Sequence, residues 1–538
     1  MIDFHSTDDG QVLNSQYTAA FANTFKSYQA NLNVKSKVSN CRLTSVICTF
    51  GASINNESVL NQMMELGMSM IRLKMCHFSL ETAKEALEMI RCSNDCYSRT
   101  TGCVCALPIA LDIQGSEIRT GLLKDLTKQE IYISQGDIVY VTSNPDYKEH
   151  VTEEMIYVDF TDIEKVVETN DTIFFNNGSI KLSVVAVVYF GIKCLVENGG
   201  TLMSRVNVYL PGVPVDLPEV TEKDLIDIKF GIDNQIDVLF VPGIKTKDAI
   251  IKLRNLIGLE GKQIQIIPKI DCYQALQNID EIISAADGLL INRSALAIDM
   301  PSEKLFIAQK SIIAKCNMVG KLVICASHLL TSMMANSDQP TNSEICDISN
   351  AILDGIDCFL LSQETSIGTN PIKVLSTLNN ICKEAEDAVY QKQLFQDLSE
   401  HFLPPLEPIY ALGLSAVQTS LKCKAAAIIM TSTTGRSAKT IAMYRPRCPI
   451  IAITRLGHVA RLLHMYRAIA PLLYIKPVES CWCEDNENRI QFGITWGKLM
   501  GIIRAGDALI TVTGSQPGAG FKNTIRIVYA SEYDTLSN

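Results

Sequence analysis

The chain has 538 residues, 47% apolar and 20% charged, proportions that exclude a disordered polymer and supply several hydrophobic cores. Its formal net charge of -10 excludes nonspecific nucleic-acid binding, which needs a basic surface, but leaves room for a local basic cleft around small anions. Of 18 cysteines, several such as Cys48, Cys325 and Cys358 sit in apolar runs as small hydrophobes, and the group Cys92, Cys96, Cys103 and Cys105 matches no standard zinc spacing, so a reduced intracellular protein is expected.

The acidic start, Met1 to Gly10, lacks the basic end and apolar core of a secretory signal, so the cytoplasm is the expected location. Residues 1–41 read as a helical arm. From there short β-rich runs recur, each followed by a segment of helical period: Val46 to Phe50, Met70 to Leu73, Leu107 to Asp112, Val238 to Val241, Ile264 to Lys269, Gly288 to Ile291, Leu322 to Ala326 and Cys358 to Ser362. Eight such strands predict a closed barrel, and most end in a polar residue or glycine, as a catalytic rim requires: Arg72, Asp112, Gly243, Lys269, Arg293, Ser327 and Ser362.

Between the third and fourth strands about a hundred residues change texture, with alternating runs such as Glu130 to Ser134 and turns at Asn177-Gly178 and Gly199-Gly200. This interval reads as an inserted β domain. Its longest apolar stretch, Leu182 to Val196, is broken by Gly191 and Lys193 and is too short for a membrane helix, so paired strands and no membrane partner are expected. After about residue 388 a second α/β unit follows, with strands at Ala427 to Met430, Pro449 to Ile453, Ala508 to Val512 and Thr524 to Val528.

Residues 286 to 301, Ala-Asp-Gly-Leu-Leu-Ile-Asn-Arg-Ser-Ala-Leu-Ala-Ile-Asp-Met-Pro, resemble the metal-binding signature of the pyruvate kinase family, Asp-Gly-Ile-Met-Val-Ala-Arg-Gly-Asp-Leu-Gly. The resemblance runs from about Thr44 nearly to the C-terminus, through Ala110 to Gly121, Glu197 to Gly200, Leu210 to Pro218, Ala351 to Gly355 and Tyr444 to Arg447. It implies an α/β architecture: a TIM (β/α)8 barrel in two parts, 42–117 and 219–387, an inserted β-barrel B domain, 118–218, acting as a lid, and a C-terminal α/β regulatory domain, 388–538. It also implies transfer of a phosphoryl group from phosphoenolpyruvate to ADP, with Mg2+ (or Mn2+) and K+ as cofactors and a homotetramer as the usual assembly.

Carried over residue by residue, the resemblance gives Arg72 to the phosphate, Lys269 to the enolate oxygen and Ser327, for a family threonine, to enolate protonation. Ser294 and Ala295 stand where the substrate carboxylate would meet backbone amides if a helix begins there. Of the two Mg2+ ligands, one becomes Asp271, a methylene shorter, and the other becomes the methyl of Ala295, so metal affinity and turnover are expected to fall. The monovalent site keeps Asp112 and the carbonyl of Ile113 but has Lys74 and Cys76 for asparagine and serine, which reads either as a lysine ammonium standing in for K+ or as drift in a site no longer used.

His77 and Arg119, with Lys74, match nucleotide-side positions, whereas Val206 replaces a lysine and Asn176-Asn177 an acidic pair; Gln363 and Asn342 are further departures. In the C-terminal unit Ser432, Thr433, Thr434, Gly435, Arg436 and Ser437 form a hydroxyl-rich turn resembling the sugar-bisphosphate effector loop, with Trp482 and Arg489 beside it. Gly514, Pro517, Gly518 and Gly520 keep the closing loop, although Ser515 and Gln516 replace tryptophan and arginine. Two functions follow: an active, slowed enzyme, or a noncatalytic paralogue that binds metabolites or joins active subunits in a hetero-oligomer.

Overall fold

Eight short runs rich in Val, Ile and Leu form parallel strands that close on themselves: Ser45–Thr49, Met70–Lys74, Ile109–Asp112, Val238–Val241, Gln265–Ile270, Gly288–Asn292, Leu322–Ala326 and Cys358–Leu361. The structure is a computed structural model describing residues 16–125, 130–211, 213, 219–334, 339–516, 520 and 522–532. Pro517 and Gly518, much of the Leu210 to Pro218 motif and residues 1–15 of the arm lie outside the described residues. Every residue of Ser45–Thr49, Leu322–Ala326 and Cys358–Leu361 is buried, as strands covered on both faces must be. Each such Val, Ile or Leu contributes about 1.5–3 kcal/mol by leaving water.

Local signals set the helices between strands. Leu80–Thr101 starts at Ser79, whose hydroxyl accepts from the Thr82 N–H while the Thr82 hydroxyl accepts from the Ser79 N–H. It stops at Gly102 in the left-handed conformation. The arm has helices at Tyr17–Ala20 and Phe25–Ala30, and Tyr28 stacks on Tyr390 with ring centroids 4.7 Å apart.

The inserted domain is a seven-stranded sheet in the order Ile118–Arg119, Asn207–Tyr209, Thr172–Phe175, Ile180–Val188, Gly191–Asn198, Ile138–Thr142 and Met155–Tyr157. A bridge between Thr120 and Val158 joins its two edges, so the sheet curls around its own apolar core. The stretch expected to be paired strands is the hairpin Ile180–Val188 and Gly191–Asn198.

The C-terminal domain has five strands in the order Ile469–Leu473, Ile450–Thr454, Ala427–Thr431, Ala508–Gly514 and Lys522–Tyr529, the last antiparallel. The sequence reading omitted Ile469–Leu473, whose Pro471 argues against a strand; it is an edge, where a missing N–H costs no ladder bond.

Two carboxylates join this domain to the barrel floor: Asp237 pairs with Arg461 at 2.7 Å, and Asp357 makes three links. Asp357 accepts from the Val323 N–H at 3.0 Å and pairs with Arg445 at 2.5 Å, and its carbonyl accepts from the Ser45 N–H at 2.9 Å. Three adjacent strands thus begin on the residue that holds the C-terminal domain's arginine.

Candidate active site

The carboxyl ends of the barrel strands gather the predicted cations around one acid. Arg72 and Lys74 end Met70–Lys74, Asp112 ends Ile109–Asp112, and Lys269 lies near the end of Gln265–Ile270. Parallel register sets Lys74 beside Asp112. The Arg72 guanidinium donates through Nε to Asp112 Oδ2 at 2.7 Å and through Nη2 to the same oxygen. Its Nη1 donates to the hydroxyls of Thr49 at 3.1 Å, a partner that no motif announced, and of the rim residue Ser362 at 3.3 Å. Lys269 Nζ lies 2.5 Å from Asp112 Oδ1, an electrostatic contact off hydrogen-bond geometry.

Asp112 has no exposed surface. Burial raises its carboxyl, but Arg72, Lys269 and Lys74 outweigh that and hold it at about 2. Burial lowers the Lys74 ammonium, and Arg72 and Lys269 add to that against Cys76 and Glu117. His77 is pushed down to about 4 by burial and by Lys74, Arg119 and Arg72, so its imidazole is neutral at pH 7. Ile113 is buried, with its N–H on the Phe240 carbonyl at 3.3 Å. The turn after it needs Gly115: φ is +68°, and a Cβ would fall 2.3 Å from Pro242.

The metal corner is built differently. Asp271 Oδ2 accepts from the Gly243 N–H at 2.9 Å, and burial pushes its carboxyl up to about 6. A helix does begin at this corner, Arg293–Asp299, with Ser294 and Ala295 in its first turn and both buried. Asp299 accepts from the Tyr273 N–H at 2.6 Å and so is committed to a neighbouring helix start. Among the described residues no three His, Cys, Asp or Glu side chains gather to hold an ion. Asp271, with Glu117 near enough to raise its carboxyl further, and a methyl at Ala295 leave a divalent ion to be completed by substrate oxygens and water.

At this corner stands a polar triangle that the motif reading missed. The hydroxyls of Ser294 and Ser327 each lie 3.0 Å from Asn292 Oδ1 and 3.1 Å from each other. Asn292 replaces the alanine of the family signature, which was the available signal. Ser327 and His328 both have positive φ, +75° and +54°, a conformation costly for side-chain-bearing residues. Arg293 braces them, donating through Nη2 to the carbonyls of Ser327 at 2.7 Å and His328 at 3.1 Å and pairing with Asp347.

Arg119 sits at the hinge of the inserted domain, paired with Glu117 and donating to the Arg205 carbonyl at 2.9 Å. Val206 is buried and only its backbone is polar there, its carbonyl accepting from the Thr120 N–H. The turn Asn176–Gly178 reaches the helix Arg293–Asp299 at Ile298: a Cβ on Gly178 would lie 3.5 Å from Ile298 Cγ1. The inserted domain therefore touches the barrel's helix at this corner.

The C-terminal loop brings its own residues together. Ser432 closes Thr433, Thr434 and Gly435 by accepting the Gly435 N–H at 3.0 Å, and Arg436, with Ser437 following, opens a helix while its side chain pairs with Glu407. Trp482 donates from its ring to the Gly514 carbonyl at 3.2 Å, with the Arg489 guanidinium 5.1 Å from the ring centroid. Burial lowers Arg489, although Asp485, shared with Arg455, counters it. Ser515 and Asn523 tie the loop's ends together. Lys522, absent from the sequence reading, donates to Thr431 Oγ1 at 2.6 Å and is pushed down to about 7 by burial and Arg489.

Two family models match the chain, pyruvate kinase barrel domain over residues 41–375 and pyruvate kinase alpha/beta domain over 411–528. The chain is 38% identical over 516 residues to pyruvate kinase PKLR of Rattus norvegicus, covering 96% of this chain and 90% of that protein. It is 36% identical over 506 residues to the pyruvate kinase of Candida albicans, covering 94% and 99%. It is 35% identical over 503 residues to pyruvate kinase 2 of Trypanosoma brucei brucei, covering 93% and 99%. Barrel, inserted domain and C-terminal domain together with this likeness establish that the chain belongs to the pyruvate kinase family. Among the described residues no helix is long and apolar enough to cross a membrane.

Proposed function

We propose that the barrel cleft binds phosphoenolpyruvate and ADP in the cytoplasm and transfers the phosphoryl group slowly, because the corner at Ala295 has lost a carboxylate. The observation that carries this reading is the coexistence of the Arg72, Asp112 and Lys269 cluster with the methyl of Ala295. Arg72 is assigned the phosphate, Lys269 the enolate oxygen, and Ser294 with Ala295 the carboxylate end. Ser327 supports protonation of the enolate, a task for which its hydroxyl must turn away from Asn292. Lys74, His77 and Arg119 are assigned to the nucleotide. Because Ala295 supplies no ligand, Mg2+ or Mn2+ would enter weakly and with substrate, held by Asp271. Lys74, beside Asp112 and without a carboxylate at ion-pair distance among the described residues, supplies charge where the family uses K+.

A second reading, a noncatalytic subunit of an active homologue, is favoured by one observation: Asp299 is bound to the Tyr273 N–H rather than replacing the missing ligand. We assign the Ser432–Ser437 loop, with Trp482, Arg489 and Lys522, to a sugar-bisphosphate effector, and a homotetramer or a hetero-oligomer with an active relative as the assembly. ADP phosphorylation by the purified chain, with Mg2+ or Mn2+ and with or without K+, tests the readings. Turnover independent of K+ supports the slowed enzyme with Lys74 as its cation. Absence of turnover, with rescue in Ser294→Gly plus Ala295→Asp and co-purification with an active homologue, supports the subunit.

A further inference from the structure

Arg447, the last residue of the Tyr444-Arg-Pro-Arg motif, belongs to neither site described above. It lines a cavity of about 390 Å³ where the arm, the end of the last barrel helix and the C-terminal domain meet. That volume falls in the range of about 300–1,000 Å³ typical of small-molecule pockets. Arg447 Nη2 donates to the Asp387 carbonyl at 3.2 Å and approaches its carboxylate at 3.5 Å, but Nη1 is buried without a partner.

The two acids at the cavity are already engaged. Asp387 accepts from the Ser39 N–H at 2.8 Å, and Asp507 from the Arg504 N–H at 2.7 Å. The cations of the rim, Lys424 and Arg504, are exposed and have no carboxylate within ion-pair distance among the described residues. One wall is aromatic: the rings of Tyr17 and Phe21 lie 4.6 Å apart, and Lys424 Nζ stands 4.2 Å from the Tyr17 centroid. Lys424 ends the helix Pro408–Cys423 at φ +49°, where glycine is the unstrained choice, so the backbone holds a cation at this mouth at a conformational cost.

We propose that this cavity is a second ligand site, for a small aromatic anion: a flat ring against Tyr17 and Phe21, with its phosphate or carboxylate on Arg447 and the cations of the rim. An unfilled guanidinium donor in the lining and exposed positive charge at the rim select an anion, and the aromatic wall selects a ring. The site is separate from the barrel cleft and from the Ser432 loop, so it stands whatever the fate of the proposed reaction.

Calorimetric titration of the full chain with AMP and, separately, with phenyl phosphate tests it. A binding component is expected that Arg447→Gln weakens about 10- to 100-fold, the worth of a charge-assisted hydrogen bond. Because Arg447→Gln also disturbs Asp387, Tyr17→Ser is the second variant, expected to weaken the same component about tenfold. Binding of AMP without phenyl phosphate supports the site and identifies a nucleotide. Equal binding of both supports it with ring and anion alone as the determinants. No binding of either probe, or binding indifferent to both variants, overturns it.

Discussion

The barrel cleft and the Ser432 loop both concentrate cations, yet the cleft ties its charges to an internal acid whereas the loop leaves one almost bare. Arg72 and Lys269 converge on the fully buried Asp112. In the C-terminal domain Arg489 shares Asp485 with Arg455, while Lys522 has a hydroxyl partner at Thr431 and a facing arginine. A cation paired inside the protein is rigid and ready for a transition state; a cation held near neutrality is open to a ligand whose charge restores its proton. The two regions of one chain thus treat charge differently: the cleft neutralises its cations on Asp112 and carries the methyl of Ala295 close in sequence to Arg293, whereas the loop, with Ser515 and Gln516 at its end, holds Lys522 on a hydroxyl.

Breaking the internal pairing should have the largest effect. Asp112→Asn strands Arg72 and Lys269 in the interior, and a loss of about 3–5 kcal/mol is expected in urea unfolding. A change under 1 kcal/mol would mean the pairing is not what the cleft depends on. Next in size, Ser294→Gly with Ala295→Asp should raise ADP phosphorylation with Mg2+ by about 10- to 100-fold, the usual worth of metal-site groups. An unchanged rate would shift the deficit to the Asn292 triangle.

In the loop, Lys522→Met should weaken sugar-bisphosphate binding about tenfold, measured by calorimetry. The sign of its pH dependence follows from burial. Lys522 is held down at about 7 against an unfolded value near 10.4, so the folded state carries fewer protons between those values. Ligand-free stability gains from this group as pH rises across that window, whereas affinity for the bisphosphate falls as pH rises through about 7. The Met variant should flatten the affinity profile. Smallest of all, Trp482→Phe removes the bond to the Gly514 carbonyl and should cost about 1 kcal/mol, a few-fold in loop-ligand affinity if the contact shapes that loop.

The barrel was legible because short β-branched runs alternate with helical periods, and because polar residues at strand ends mark the rim, as Arg72, Asp112 and Lys269 do. Contacts that depend on register across the barrel were not legible. Thr49 and Ser362 meet Arg72 from strands far apart in sequence, and Ser327 meets Ser294 and Asn292 only because Gly288–Asn292 and Leu322–Ala326 are neighbours. Lys522 was hidden for another reason: on an alternating edge strand a lysine reads as a solvated charge, and only the packing of Arg489 and Thr431 reveals its burial.

Asp357 has a mechanical consequence. The strands that begin on it, Ser45–Thr49, Leu322–Ala326 and Cys358–Leu361, run the depth of the barrel and end at Thr49, Ser327 and Ser362, the hydroxyls around the cleft. Strands are stiff rods of about 3.3 Å per residue, and in a closed barrel they shift together. A tilt of the C-terminal domain that pulls on Arg445 would therefore reach the cleft's mouth through these strands, with the Asp357–Arg445 and Asp237–Arg461 ion pairs as the two anchors at the back of the barrel.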